Sequence, residues 1–300
     1  MTTGLLIPLP HPVAQQRGVR LLLWRDDLLN PALPGNKARK LKYNLQAARA
    51  QGHSRLLTFG GAYSNHLAAV AAAGRRYGFA TVGLVRGEAH QPLNPTLARC
   101  AADGMALHYL DRSAYRQRAE PVFLAELQQQ YGPAYLLPEG GTNVLALRGV
   151  AELIAELRQH TDFDAVAVAA GTGGTVAGLA LGLAEAAYPA RAVGVAALKG
   201  GDFLRADIDA LIQAASGLAL HNYEVHTGYH FGGYAKLPAE LRAFIEDFQA
   251  RYDVLLDPIY TGKLLFGVLD LIARGNFAPG STVVAVHTGG LQAWAGFADN

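Results

Sequence analysis

Short apolar runs alternate along this chain with longer stretches in which apolar residues recur every three or four positions, so strands and helices follow one another almost throughout. Residues 20–24, 56–59, 80–85, 106–110, 134–137, 165–169, 192–197 and 282–287 read as buried strands. The spacing between them predicts helices over 38–51, 64–77, 95–103, 121–130, 144–160, 176–187, 207–216, 239–251 and 264–274. A strand, a helix and a second strand in succession require parallel pairing, which makes this an α/β protein. With no Pro-rich linker, repeat array or low-complexity tract in view, a domain boundary must be crossed by ordinary elements. The expectation is a small domain, 44–141, inserted into a larger one formed by 1–43 and 142–300.

Composition narrows the partner more than the fold. Three hundred residues at 51% hydrophobic content can bury a substantial core. The formal charge of +2 arises from 26 basic and 24 acidic residues without long blocks of one sign, which argues against nucleic acid and membrane surfaces and for a small molecule. A single cysteine, Cys100, cannot form an internal disulfide, and Met1–Gly4 lacks the charged and apolar regions of a secretory signal, so a cytoplasmic location is expected. No apolar run reaches membrane-spanning length. Many of the 34 glycines sit in clusters just after apolar runs, where α/β enzymes make ligand-binding turns.

Three such clusters carry chemistry. Val166–Ala170 leads into Gly171-Thr172-Gly173-Gly174-Thr175 and a helix, so backbone N–H groups and a helix N-terminus converge on a spot suited to an anion. The loop has neither the Gly-Lys-Ser/Thr ending of a nucleotide P-loop nor the glycine spacing of a dinucleotide site, which weighs against a nucleotide-dependent oxidoreductase. Gly60-Gly61-Ala62-Tyr63-Ser64-Asn65-His66 exposes a hydroxyl, an amide and an imidazole at another strand-to-helix turn. Residues 287–290 form a third. All three lie at strand carboxyl ends and are expected to face one cleft. Pro34-Gly35-Asn36-Lys37 adds a lysine in the first turn of a helix capped by Asn36, where the helix dipole disfavours its protonated form and prepares it for Schiff-base chemistry. The alternative for this segment is a solvated basic face of Lys37, Arg39, Lys40 and Lys42.

Gly-Asn-Lys-Ala-Arg-Lys-Leu, Gly-Gly-Ala-Tyr-Ser-Asn-His, Pro-Glu-Gly-Gly-Thr-Asn, Gly-Thr-Gly-Gly-Thr and His-Thr-Gly-Gly occur in that order between residues 20 and 290. As an ordered set they make the chain resemble the 1-aminocyclopropane-1-carboxylate deaminase and D-cysteine desulfhydrase family. The resemblance implies a pyridoxal 5'-phosphate enzyme of fold type II, related to the tryptophan synthase β-subunit, with two open, twisted, mainly parallel sheets flanked by helices. It implies that Lys37 joins the cofactor aldehyde and moves the substrate α-proton, and that Lys40 reaches the cofactor phosphate. Gly171, Thr172, Gly173, Gly174 and Thr175 would hold that phosphate, and Asn65 the ring hydroxyl. Ser64 and His66, beside Asn65, would meet the substrate carboxylate, Ser64 also serving as nucleophile or proton relay. Tyr234 and Tyr260 would complete the substrate pocket.

Thr261 and Thr288 are expected beside the cofactor ring nitrogen and separate the branches of the family. The cyclopropane-opening deaminases carry Glu and Leu there, the desulfhydrases small hydroxyl residues. A carboxylate keeps the ring nitrogen protonated and makes a strong electron sink, whereas a hydroxyl suffices for elimination of a good leaving group. The expected reaction is therefore α,β-elimination of a D-amino acid, D-cysteine giving pyruvate, sulfide and ammonia. Alternatives are deamination of aminocyclopropane carboxylate or of another D-amino acid, and a non-catalytic homologue that binds the cofactor or an amino acid. The resemblance also implies a homodimer, and no metal is expected. The chain departs from the family in its short length, in Pro34 where a second glycine is common, and in Gly-Tyr-Ala-Lys-Leu around Tyr234.

Overall fold

The computed structural model describes residues 5–30, 33, 35–89 and 91–297. The expectations for Met1–Gly4 and Pro34 lie outside the described residues.

Ten strands run in chain order: β1 (Leu6–Pro8), β2 (Arg20–Trp24), β3 (Arg55–Gly60), β4 (Ala80–Arg86), β5 (Met105–Leu110), β6 (Tyr135–Leu137), β7 (Ala165–Ala170), β8 (Arg191–Ala196), β9 (Tyr223–His226) and β10 (Thr282–Val286). They form a six-stranded sheet of order β1-β2-β10-β7-β8-β9 and a four-stranded sheet of order β5-β4-β3-β6. Every pairing is parallel except that of β1 with β2. Helices cover both faces of each sheet, which is why the strands read as unbroken apolar runs. In β10, Val284 and Val286 enter one core while Val283 and Ala285 enter the other. In β3, Leu56 packs on one face and Leu57 and Phe59 on the opposite one. Each such leucine, removed fully from water, contributes about 1.5–3 kcal/mol.

Small residues bring the helices around the six-stranded sheet close together. A Cβ on Gly178 would lie 2.6 Å from Val150 Cβ, one on Gly182 2.6 Å from the Ala151 carbonyl oxygen, and one on Gly149 2.0 Å from that of Arg39. These approaches lock helix Val144–Arg158 between helix Gly174–Glu185 and helix Asn36–Ala50, which carries Lys37.

The structure adds elements the hydrophobic pattern does not reveal. β1, helix Pro12–Gln16 and helix Arg112–Arg116 are too short to establish a period, and β9 is an edge strand whose Tyr-Glu-Val-His alternation spans only four residues. The helix bearing Lys37 begins earlier than expected, at Asn36, with Gly35 and not Asn36 as its N-cap. The Asn36 amide is diverted from capping because its Nδ2 donates to Thr175 Oγ1 at 3.0 Å.

β7 and β10 pair directly, with Val284 opposite Val166, so the loops at their carboxyl ends emerge side by side. The turn after β3 reaches the same place from the smaller sheet, and the fold thereby assembles the cleft. Among the described residues no helix is long and apolar enough to cross a membrane.

Candidate active site

The three glycine turns meet, as expected, around one cleft of about 930 Å³, whose wall includes Lys37, Ser64, Asn65, Thr172, Tyr234 and Thr288. That volume suits a cofactor together with a small substrate.

Two lysine amines meet on one side of it. Lys37 Nζ donates to the Gly140 carbonyl at 3.1 Å, while Lys40 Nζ donates to the same carbonyl at 3.5 Å and to Thr142 Oγ1 at 3.1 Å. Burial lowers the Lys37 amine to about 8. Lys40 falls well below the ordinary lysine range through burial and then through repulsion from Lys37. Among the described residues no carboxylate is bonded to either amine, and burial shifts both toward the neutral form that Schiff-base formation uses. The basic-face alternative therefore fails for Lys37 and Lys40, and Arg39 is committed elsewhere, to Asp26 and Glu156. An aldehyde reagent is expected to modify Lys37 at a rate that climbs through pH 8 and then levels. Peptide mapping across pH checks this, and a rate still climbing beyond about pH 10 would mark an ordinary amine.

The anion cradle lies next to these lysines. Thr142 Oγ1 and Thr172 Oγ1 are 2.6 Å apart, either able to donate to the other, so Thr142 links Lys40 to Thr172. Thr172 lines the cleft and presents this pair to a ligand. Gly173 takes φ +75° and starts helix Gly174–Glu185. No hydrogen bond within the described residues engages the N–H groups of Thr172, Gly173, Gly174 and Thr175. Backbone donors, a helix N-terminus and an adjacent lysine fit a phosphate. Gly174 is buried against Thr142, where a Cβ would lie 2.5 Å from the methyl group. Gly140 and Thr142 were visible as part of Pro-Glu-Gly-Gly-Thr-Asn, but nothing in that motif signals a shared acceptor for two amines.

Ser64 caps helix Asn65–Tyr77, accepting from the N–H groups of His66 and Leu67 and so keeping its own proton. Asn65 Oδ1 accepts from Gln292 Nε2 at 2.6 Å, a partner from the far end of the chain that sequence spacing could not reveal. The Asn65 NH₂ is thereby the end left to donate, which suits a ring hydroxyl oxygen. His66 departs from expectation. Its ring is only 2% exposed, with Nε2 2.8 Å from Thr58 Oγ1, whose single proton goes to the Leu137 carbonyl. His66 Nε2 must therefore be the donor, and Nδ1 keeps a lone pair with no hydrogen-bond partner among the described residues. Burial, then Lys37 and Lys40, hold the imidazole neutral. His66 does line the cleft, but a neutral ring with Nδ1 as acceptor offers no proton to a carboxylate, so its Nε2 bond to Thr58 serves to position the turn.

The two threonines also part company. Thr288 lines the cleft, but Thr261 is fully buried, its hydroxyl donating to Asp257 Oδ1 at 2.7 Å and accepting from the Asp257 N–H at 2.7 Å. Asp257 also takes the N–H groups of Ile259, Tyr260 and Thr261. The Thr261 hydroxyl thus organises the start of helix Thr261–Ala273 and is not presented on the cleft wall as expected. Tyr234 and Tyr260 meet edge to face, ring centroids 6.0 Å apart. Burial raises the Tyr260 phenol well above its usual range, so it remains a donor.

Comparison with known proteins agrees with this geometry. A Pyrococcus horikoshii protein provisionally named 1-aminocyclopropane-1-carboxylate deaminase is 30% identical over 96% of this chain and 91% of its own length. The D-cysteine desulfhydrase of Yersinia pestis strain Pestoides F is 32% identical over 92% of this chain and 88% of its own. A crystal structure described as an ACC deaminase homologue superposes with a TM-score of 0.87 at 29% identity, covering 98% of this chain and 91% of that one. The fold is accordingly that of the type II pyridoxal-phosphate enzymes. Residues 6–289 match the family described as pyridoxal-phosphate dependent enzymes, and this chain, with its paired lysines and open N–H cradle, belongs to that family.

Proposed function

We propose that the chain is a lyase that eliminates the β-substituent of a small D-amino acid, D-cysteine foremost, in the cytoplasm and as a homodimer. In that reaction the Cα–H and Cβ–S bonds break, and water completes the conversion of D-cysteine to pyruvate, ammonia and hydrogen sulfide. The observation that carries the reading is the placement of the Lys37 amine on the wall of the cleft, bonded only to the Gly140 carbonyl among the described residues and beside the open N–H groups of residues 172–175.

When bound, pyridoxal phosphate supplies an aldehyde for a lysine amine and an electron sink for the α-carbon. The chain supplies everything else. The N–H groups of residues 172–175, the Thr172 hydroxyl and Lys40 hold the phosphate, and the Asn65 amide, aimed by Gln292, orients the ring. Lys37, freed by an incoming amino acid, takes the α-proton. Ser64, whose hydroxyl retains its proton at the head of helix Asn65–Tyr77, meets the carboxylate. Tyr260 and Tyr234 form an edge-to-face pair of neutral phenols on the substrate side. The small domain 44–141 closes the cleft from the side opposite the large one.

Thr142→Val keeps the volume of residue 142 but cuts the link from Lys40 to Thr172. Cofactor affinity is expected to fall on the order of tenfold, measured by equilibrium dialysis.

Elimination is favoured over ring opening by the hydroxyl residue at 288 on the cleft wall, and by likeness to the Yersinia desulfhydrase. Deamination of aminocyclopropane carboxylate is the second reading, favoured by likeness to the Pyrococcus protein. Offering purified enzyme D-cysteine, L-cysteine, D-serine and aminocyclopropane carboxylate in parallel separates the two. Sulfide and keto acid in equal amounts from D-cysteine are expected, and keto acid from the cyclopropane alone would replace the first reading with the second.

A further inference from the structure

One buried amine has no part in the chemistry above. Lys263, in the first turn of helix Thr261–Ala273, is fully buried, and its ammonium donates to three backbone carbonyls: Ala197 at 2.9 Å, His230 at 3.0 Å and Gly233 at 2.8 Å. Its three protons are thus each used once, and no carboxylate among the described residues is bonded to it. Oxygen atoms of backbone carbonyls closing around a compact positive charge are what a bound monovalent cation would offer and need.

The carbonyls come from two places that matter for the cleft. Ala197 directly follows β8 and precedes Leu198 on the cleft wall, while His230 and Gly233 belong to the segment that presents Tyr234. That segment is strained. Phe231 and Ala235 adopt φ of +52° and +54°, conformations costly for residues with a Cβ, and Gly232 and Gly233 stand at +90° and +138°. Such a backbone persists only where its surroundings fix it, and strain of this kind gathers at ligand clamps.

We propose that the Lys263 ammonium acts as a tethered cation, pinning the strained 230–235 segment to the end of β8 and so positioning Tyr234 at the mouth of the substrate pocket. Burial lowers the amine to about 8 while Asp257 opposes the shift, so it is mostly charged at neutral pH. Lys263 is a positioning residue: it touches neither the cofactor cradle nor the paired lysines.

The test uses Lys263→Ala, which leaves a cage of three carbonyls open to a free cation. In the full-length protein, chymotryptic cleavage after Phe231 or Tyr234 is expected to rise at least several-fold and to be suppressed by ammonium or potassium but not by tetramethylammonium. With cofactor bound, KM for the amino-acid substrate is expected to rise on the order of tenfold with the cofactor's visible absorption unchanged. Adding ammonium restores KM, and Tyr234→Ala removes most of the further effect of Lys263→Ala. Should Lys263→Ala not fold, Lys263→Gln, which retains two N–H donors, is expected to fold and to show the same cleavage and cation response in weaker form. Wild-type protection of the 230–235 segment in either variant, or a defect indifferent to every cation, would overturn the proposal. The cleavage arm needs no substrate, so it stands apart from the choice between desulfhydrase and deaminase.

Discussion

Lys37→Ala is expected to lower turnover by about 10⁴-fold or more, with loss of the visible absorption that marks a covalently held cofactor. The substitution removes the nucleophile and the base together, because one amine is assigned both tasks. Lys40 cannot stand in for it. Its Nζ is held by Thr142 and Gly140, is 2% exposed as a residue, and serves the link to Thr172. Stability should hardly suffer, since the Lys37 amine makes a single hydrogen bond, to Gly140. Keto-acid release and thermal unfolding, measured side by side, check both halves. A variant within tenfold of the parent would place the chemistry on another residue.

Gly35→Ala is the substitution expected to damage the fold most for the atoms it adds. Gly35 has φ +76° and ψ −165°, a region essentially reserved for glycine. A Cβ there would lie 1.9 Å from the Thr288 carbonyl oxygen and 2.6 Å from its carbon, which is backbone and cannot swing aside. That same carbonyl accepts from the Asn36 N–H at 3.3 Å, so any retreat also breaks the contact joining the Lys37 helix to the turn after β10. Strain and clash together are expected to cost about 3 kcal/mol of stability, read from urea unfolding. Gly52→Ala is the natural control. Gly52 has φ +76° as well, but nothing lies within 4 Å of its added carbon, so about 1 kcal/mol is expected. Equal losses at the two positions would show that the approach to Thr288 carries no weight.

What could be read from the sequence divides along a physical line. Strands and long helices announce themselves because each buries a face, and burial repeats with the period of the element. β3, β7 and β10 appear within a residue of their expected bounds, and the glycine turns that follow them do converge. Elements of three to five residues, such as β1 and helix Pro12–Gln16, carry no period to detect. Lys37 is legible from its place on a first helical turn and from the ordered motifs, but the cause of its activation is not. Asn36 does not cap that helix, and burial rather than the dipole is what lowers the amine.

Contacts between residues far apart in the chain were beyond reach. Gln292 meets Asn65 across 227 positions, and the Gly140 carbonyl meets Lys37 across 103. The orientation of a side chain is likewise not written in its motif. His66 and Thr261 sit at recognisable positions, yet Thr58 turns the imidazole inward and Asp257 consumes the hydroxyl. Of the two threonines only Thr288 lines the cleft, and it alone favours elimination over ring opening.

The central claim is that the Lys37 amine is the one that joins the cofactor aldehyde. Reducing the cofactor-loaded protein with borohydride fixes that bond permanently, and digestion followed by mass spectrometry locates it. The expected result is a pyridoxyl-phosphate group on Lys37 alone. The same group on Lys40 or Lys263, or no covalent adduct, would contradict it.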